Sequence, residues 1–139
     1  MKLYKLDHVQ LAMPPGQEAA AREFYGGVLG LPETAKPSQL AGRGGVWFQQ
    51  DDLKVHLGVE QEFRPAKKAH PAFLVHGLAE LVERCRQTGH TVTADVAIDG
   101  CQRVHVSDPF GNRIELMEVQ QTHDASGLDP WEAEREVDA

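Results

Sequence analysis

One order of hydrophobic periodicities occurs twice along this chain, and few folds satisfy such a repeat. Residues 4–13, YKLDHVQLAM, alternate with period two. That puts Leu6, His8, Gln10 and Ala12 on one face of a strand and Asp7, Val9, Leu11 and Met13 on the other. Pro14, Pro15 and Gly16 end it. Residues 17–29 carry Ala20, Phe24, Tyr25 and Val28 at helical spacing, with Glu18 in the first turn and Gly30 as a stop. Residues 31–42 are turn-rich and leave room for one short strand; residues 45–50 and 53–59 read as two strands joined at Asp51-Asp52. After a polar connector, 60–69, the order returns. It comprises a strand at 70–75, a helix at 78–89 with Leu78, Leu81, Val82 and Cys85 on its apolar stripe, strands at 90–97 and 101–107, the turn DPFGN at 108–112, and a last strand at 113–119. The copies share little sequence; the order of elements carries the repeat. The reading is an α+β fold of two βαβββ modules, 4–60 and 69–119, in a single domain over 1–120, followed by an acidic tail at 121–139.

Composition narrows the function. A chain of 139 residues buries a sufficient core without disulfides or a structural metal, so a bound metal would serve chemistry rather than folding. A net charge of −7 with no basic stripe argues against nucleic acid as a partner. Cys85 and Cys101 form no C-x-x-C pair and read as reduced thiols. No apolar run reaches the ~20 residues that span a bilayer, and the first residues alternate instead of forming the apolar core of a signal peptide. The expectation is a soluble, cytoplasmic protein without a membrane partner. The tail sets Asp124, Asp129, Glu132, Glu134, Glu136 and Asp138 against Arg135. It reads either as a solvated terminus or as a short helix, WEAEREV, placing Trp131 on a neighbouring surface.

Four of the chemistry-bearing residues occupy matching places in the repeat. His8 lies in the opening strand of the first module and His56 in its last; His70 opens the second module and Glu115 lies in its last strand. Imidazole and carboxylate suit first-row divalent ions, and strands aim alternate residues at one face. A carboxylate on an otherwise apolar strand face also needs a cation or a paired histidine. By spacing alone, each histidine reads equally as a hydrogen-bonded or exposed strand residue.

Beyond spacing, LDHVQLAM, EFYGGVLGL, VHLGVE, AHPAFLV and DPFGNRIELME together resemble the vicinal oxygen chelate superfamily over residues 5–119. It takes in glyoxalases, extradiol dioxygenases, fosfomycin-resistance thiol transferases and bleomycin-binding proteins. The resemblance implies paired βαβββ modules forming a cupped mixed sheet around a divalent metal (zinc, nickel, manganese or iron), in a homodimer, acting on a small molecule with vicinal oxygens. Carried over by position, it implies His8, His70 and Glu115 as metal ligands, with His56 at an optional fourth place. His56 departs from the glutamate or glutamine usual in glyoxalase I, which leaves it as a fourth ligand or an acid/base. Glu115, His56 and His105 are thus the expected catalytic residues, and Gln10, Trp47 and Arg64 the expected substrate contacts. Arg64, Lys67 and Lys68 on the connector suit an anionic substrate, or simply a solvated linker. The favoured function is metal-dependent lyase, isomerase or dioxygenase chemistry; the alternatives are a metal-free drug-binding protein and a fosfomycin-type thiol transferase.

Overall fold

The structure, a computed structural model, describes residues 1–120; the expectations for the tail lie outside them. The α+β fold of two βαβββ modules is present. The first module runs β1 (Val9–Met13), α1 (Glu18–Ala21) continuing as a π-helical segment (Arg22–Val28), β2 (Glu33–Thr34), a 3₁₀ turn (Ser38–Arg43), β3 (Val46–Gln50) and β4 (Leu53–Val59). The second runs β5 (Ala72–Leu74), α2 (Leu78–Gln87), β6 (Val92–Ala94), β7 (Cys101–Ser107) and β8 (Arg113–Val119). Each module makes one four-stranded mixed sheet, ordered β1-β4-β3-β2 and β5-β8-β7-β6, with its first strand parallel to its last.

Two local differences from the sequence reading have physical causes. The first strand starts at Val9, so residues 4–8 extend beyond the sheet with Tyr4 and Leu6 exposed; alternation set their faces but supplied no paired neighbour. The first helix widens to i→i+5 bonding, with Leu29 N–H donating to the Phe24 carbonyl at 2.9 Å. The widened segment buries Phe24, Tyr25 and Val28, and the α-helical turn before it buries Ala21 and leaves Ala20 partly exposed.

Period-two alternation then sorts the strands. Val9, Leu11, Met13, Val46, Phe48, Val55 and Leu57 of one sheet and Val104, Val106, Ile114 and Leu116 of the other enter one shared core with Phe24, Tyr25, Leu78 and Cys85. Burial pushes the Cys85 thiol pKa up, which leaves it an inert packing residue. His56, His105 and Glu115 alternate with these core positions and lie on the opposite faces of their strands.

The modules are tied together at the DPFGN turn. Asp108 Oδ1 accepts the backbone N–H of Phe110 at 2.9 Å and of Asn112 at 2.8 Å, while Oδ2 accepts the Tyr25 hydroxyl at 2.7 Å and Asn112 Nδ2 at 2.8 Å. Asn112 Nδ2 also donates to the Ala12 carbonyl at 2.8 Å. The turn of the second module is thereby bonded to the helix and first strand of the first.

Gly45 is required where β3 begins. It holds φ +83°, and a Cβ there would run into the Leu57 carbonyl oxygen on β4. Gly45→Ala is expected to cost about 2–4 kcal/mol in urea unfolding, combining backbone strain with a steric clash. A loss below half of that would show that the strand accommodates a side chain.

Candidate metal centre

Register alone makes the outer faces equivalent. On the first sheet His56 pairs with Gln10 on β1 and Trp47 on β3. On the second, Glu115 pairs with Ala72 on β5 and His105 on β7. His8 stands two residues before Gln10, and His70 two before Ala72. His8 is therefore to His56 as His70 is to Glu115, a diagonal pair on the polar face of each sheet.

On the second sheet the pair meets. His70 Nε2 lies 3.1 Å from Glu115 Oε2, and His70 Nδ1 lies 2.8 Å from the Lys68 carbonyl. A carbonyl only accepts, so Nδ1 carries a proton, and Nε2 meets the carboxylate either as a second N–H donor or, deprotonated, as a ligand. Ring nitrogen and carboxylate at this distance are joined by a proton or by a cation. Two ligands bound at right angles at ~2.1 Å stand ~3.0 Å apart, so this spacing fits a shared divalent ion. Burial pushes the Glu115 carboxyl pKa up, but hydrogen bonds from Arg103 and His70 outweigh it, and the net value lies below the ordinary carboxylate range. Glu115 is 8% exposed and ready as an anionic ligand.

On the first sheet His8 Nδ1 lies 2.9 Å from Asp7 Oδ2, and Lys54 Nζ lies 3.3 Å from Asp7 Oδ1. The carboxylate again takes the Nδ1 proton and leaves Nε2 free, so both histidines are oriented for ligation by an acceptor behind them. His56 stacks on Trp47, with ring centroids 3.7 Å apart, and on His8 at 4.4 Å. It is 6% exposed and has no hydrogen-bond partner among the described residues. Burial, followed by the neighbouring His8, pushes its pKa down, which favours the neutral, ligating imidazole.

The structure thus brings His70 together with Glu115, and His8 with His56 and Trp47, but not the two groups with each other. Among the described residues of one chain, no three His, Cys, Asp or Glu side chains gather closely enough to hold an ion. Gln10 lies over Gly58 on the His8 face. His105 stands beside His70, with ring centroids 5.4 Å apart, and both it and Arg64 line a cavity next to the His70–Glu115 pair.

Sequence reasoning missed Arg103 and Asp95. Arg103 Nη1 donates to Glu115 Oε1 at 2.9 Å, its Nη2 lies 3.2 Å from Asp95 Oδ2, and its Nε donates to the Val96 carbonyl at 2.8 Å. Asp95 Oδ2 also accepts from His105 Nε2 at 2.9 Å. Arg103 shares the strand face of His105, two residues away, and that was the available signal. With its guanidinium occupied on three sides, Arg103 fixes the Glu115 carboxylate. Arg103→Ala is expected to weaken divalent-ion affinity ~10–100-fold, as loss of an outer-shell partner does. Chelator competition reads this; unchanged affinity would show that Glu115 is held without it.

The sequence matches the Glyoxalase/Bleomycin resistance protein/Dioxygenase superfamily over residues 5–116, and the chain belongs to that family. A crystal structure of a glyoxalase family protein from Bacillus anthracis is 47% identical, with a TM-score of 0.81, covering 86% of this chain and 98% of that one. The fosfomycin resistance protein FosX from Listeria monocytogenes (15% identical, TM-score 0.67, 88% and 97% covered) shares the fold. So does the antibiotic binding protein TnmS3 from a Streptomyces species (18% identical, TM-score 0.64, 86% and 99% covered). No protein of curated function matches the sequence. No helix among the described residues is long and apolar enough to cross a membrane.

Proposed function

We propose that two copies of this chain complete a divalent-metal site and use it as an enzyme on a small substrate with neighbouring oxygens. In this reading His70 and Glu115 of one copy and His8 of the other hold the ion, with His56 as a fourth ligand or an adjacent base. The opposed His70 Nε2 and Glu115 Oε2, 3.1 Å apart, carry the proposal. The chain also carries exposed apolar side chains suited to a second copy. Leu3, Tyr4 and Leu6 are 101%, 87% and 76% exposed, and Leu74 and Val96 of the second module are 54% and 75% exposed. Among the described residues the outer edges of β1 and β5 are unpaired, which suits the same partner.

The ion would supply Lewis acidity toward a bound oxygen. The residues around it do the rest. Trp47 and His56 form a flat aromatic wall on the first sheet. Glu115 is held anionic by Arg103. His105 Nε2 lies 2.9 Å from Asp95 Oδ2 and its Nδ1 accepts from Arg113 Nε at 3.2 Å, which orients the ring beside the ligand pair. It is thereby placed to relay a proton once Arg113 withdraws.

Elemental analysis of protein purified without chelator tests the metal, and sedimentation tests the dimer. One zinc, nickel, manganese or iron per chain is expected in wild type and little in His70→Ala. Wild type without any such ion after metal-replete growth would favour a metal-free small-molecule binder; TnmS3, which shares the fold, is an antibiotic binding protein.

A further inference from the structure

A cavity of about 690 Å³ opens beside the His70–Glu115 pair, and its wall is positive. Arg64, Lys67 and Arg113 line it with His105, Thr93 and Ser107, and no carboxylate is among the lining residues. Among the described residues none of these three cations forms an ion pair. Three like charges around one cavity, on a chain of net charge −7, repel one another unless an anion joins them.

The cavity is also built. The connector bearing Arg64 and Lys67 is fastened along its length. Phe63 meets Phe110 edge to face with centroids 6.4 Å apart, Pro65 packs against Gly111 of the DPFGN turn, and the Lys68 carbonyl is bonded to His70 Nδ1 at 2.8 Å. This is not the geometry of a free linker. Arg113 is anchored by its Nε on His105 Nδ1 at 3.2 Å. Its terminal nitrogens bond no described residue, so the fork that suits an oxyanion is open at the cavity.

We infer that this cavity seats an oxyanion group of the substrate, a carboxylate or a phosphoryl group, between Arg64, Lys67 and Arg113. The inference rests on the metal reading only in placing the rest of that molecule toward Glu115; the anion site itself stands on the three cations. Binding also draws Arg113 toward the anion and off His105, which frees Nδ1 of that ring while the substrate is present.

The test is calorimetric titration of the full-length, metal-stripped protein with inorganic phosphate and, separately, with acetate, at constant ionic strength. Stripping the metal removes anion binding to the ion itself, and the double variant below assigns what remains to the cavity. Saturable binding with Kd of order 1 mM is expected for at least one probe, the magnitude of a few charge-assisted contacts. It should weaken at least ~10-fold in an Arg64→Ala/Lys67→Ala variant whose melting curve matches wild type. Phosphate binding alone assigns a phosphoryl group; acetate binding as well assigns a carboxylate. Absence of saturable binding by either probe, or equal binding by the double variant, overturns the site. A parallel zinc titration separates the two readings: failure to bind zinc sinks the metal centre and leaves the anion result standing.

Discussion

Glu115→Gln is expected to lower divalent-ion affinity by ~100-fold or more with the fold intact. Outer-shell partners alone contribute ~10–100-fold, and Glu115 faces the His70 Nε2 at 3.1 Å. Glutamine keeps the volume and an acceptor for Arg103, so the local packing survives. It removes the negative charge that makes the pair a ligand set, since a neutral amide oxygen is a poor partner for a transition-metal ion. Competition against a chromogenic chelator reads the affinity, and circular dichroism checks the fold. Affinity within ~3-fold of wild type, far inside the ligand range, would show that Glu115 serves only the Arg103 ion pair.

Asp108→Ala is expected to destabilise the protein by about 3–5 kcal/mol, the range for removing one partner of a buried charged network. Asp108 is 4% exposed and accepts four hydrogen bonds, from Tyr25, Phe110 and twice from Asn112. Alanine leaves those donors buried without an acceptor. Denaturant unfolding measures it; a loss under about 1 kcal/mol would mean that water replaces the carboxylate fully. The same contact gives an alkaline signature. Burial, then the charge of Asp108 and the hydrogen bond to it, pushes the Tyr25 pKa well above the usual tyrosine value. The neutral phenol is therefore favoured in the folded state. Its contribution is complete below the unfolded value of about 10 and is lost as pH rises above it, because the unfolded chain sheds the proton first. Tyr25→Phe should flatten that alkaline decline; a decline equal to wild type would assign it to other groups.

Much of the fold was legible because alternation and burial are the same information. The bounds 53–59, 101–107 and 113–119 are those of β4, β7 and β8. Where partners decide, the pattern ran out. Residues 4–8 alternate like a strand, yet pairing begins at Val9. The π-helical widening at Arg22–Val28 is likewise something that a 3.6-residue periodicity does not encode.

The site divides along the same line. His8 and His56, and His70 and Glu115, were legible as equivalents because the repeat places them at equal register. The pairing of Arg103 with Glu115 was not, since an arginine on an alternating strand reads as solvent-facing until the neighbouring strand is aligned. Convergence of all four was not legible either. Among the described residues of one chain the two pairs stay apart, and bringing His8 to His70 through a second copy is the proposal's central claim.

Mixing inactive partners tests that assembly most directly. His8→Ala and Glu115→Ala variants, each deficient in metal as homodimers, are unfolded together, refolded together, and titrated with zinc. A site shared between copies predicts recovery. A mixed dimer joins His8 of the Glu115→Ala chain to His70 and Glu115 of the His8→Ala chain, giving one tight zinc site per mixed dimer. Recovery of no zinc binding in dimers shown to have mixed would contradict the shared centre.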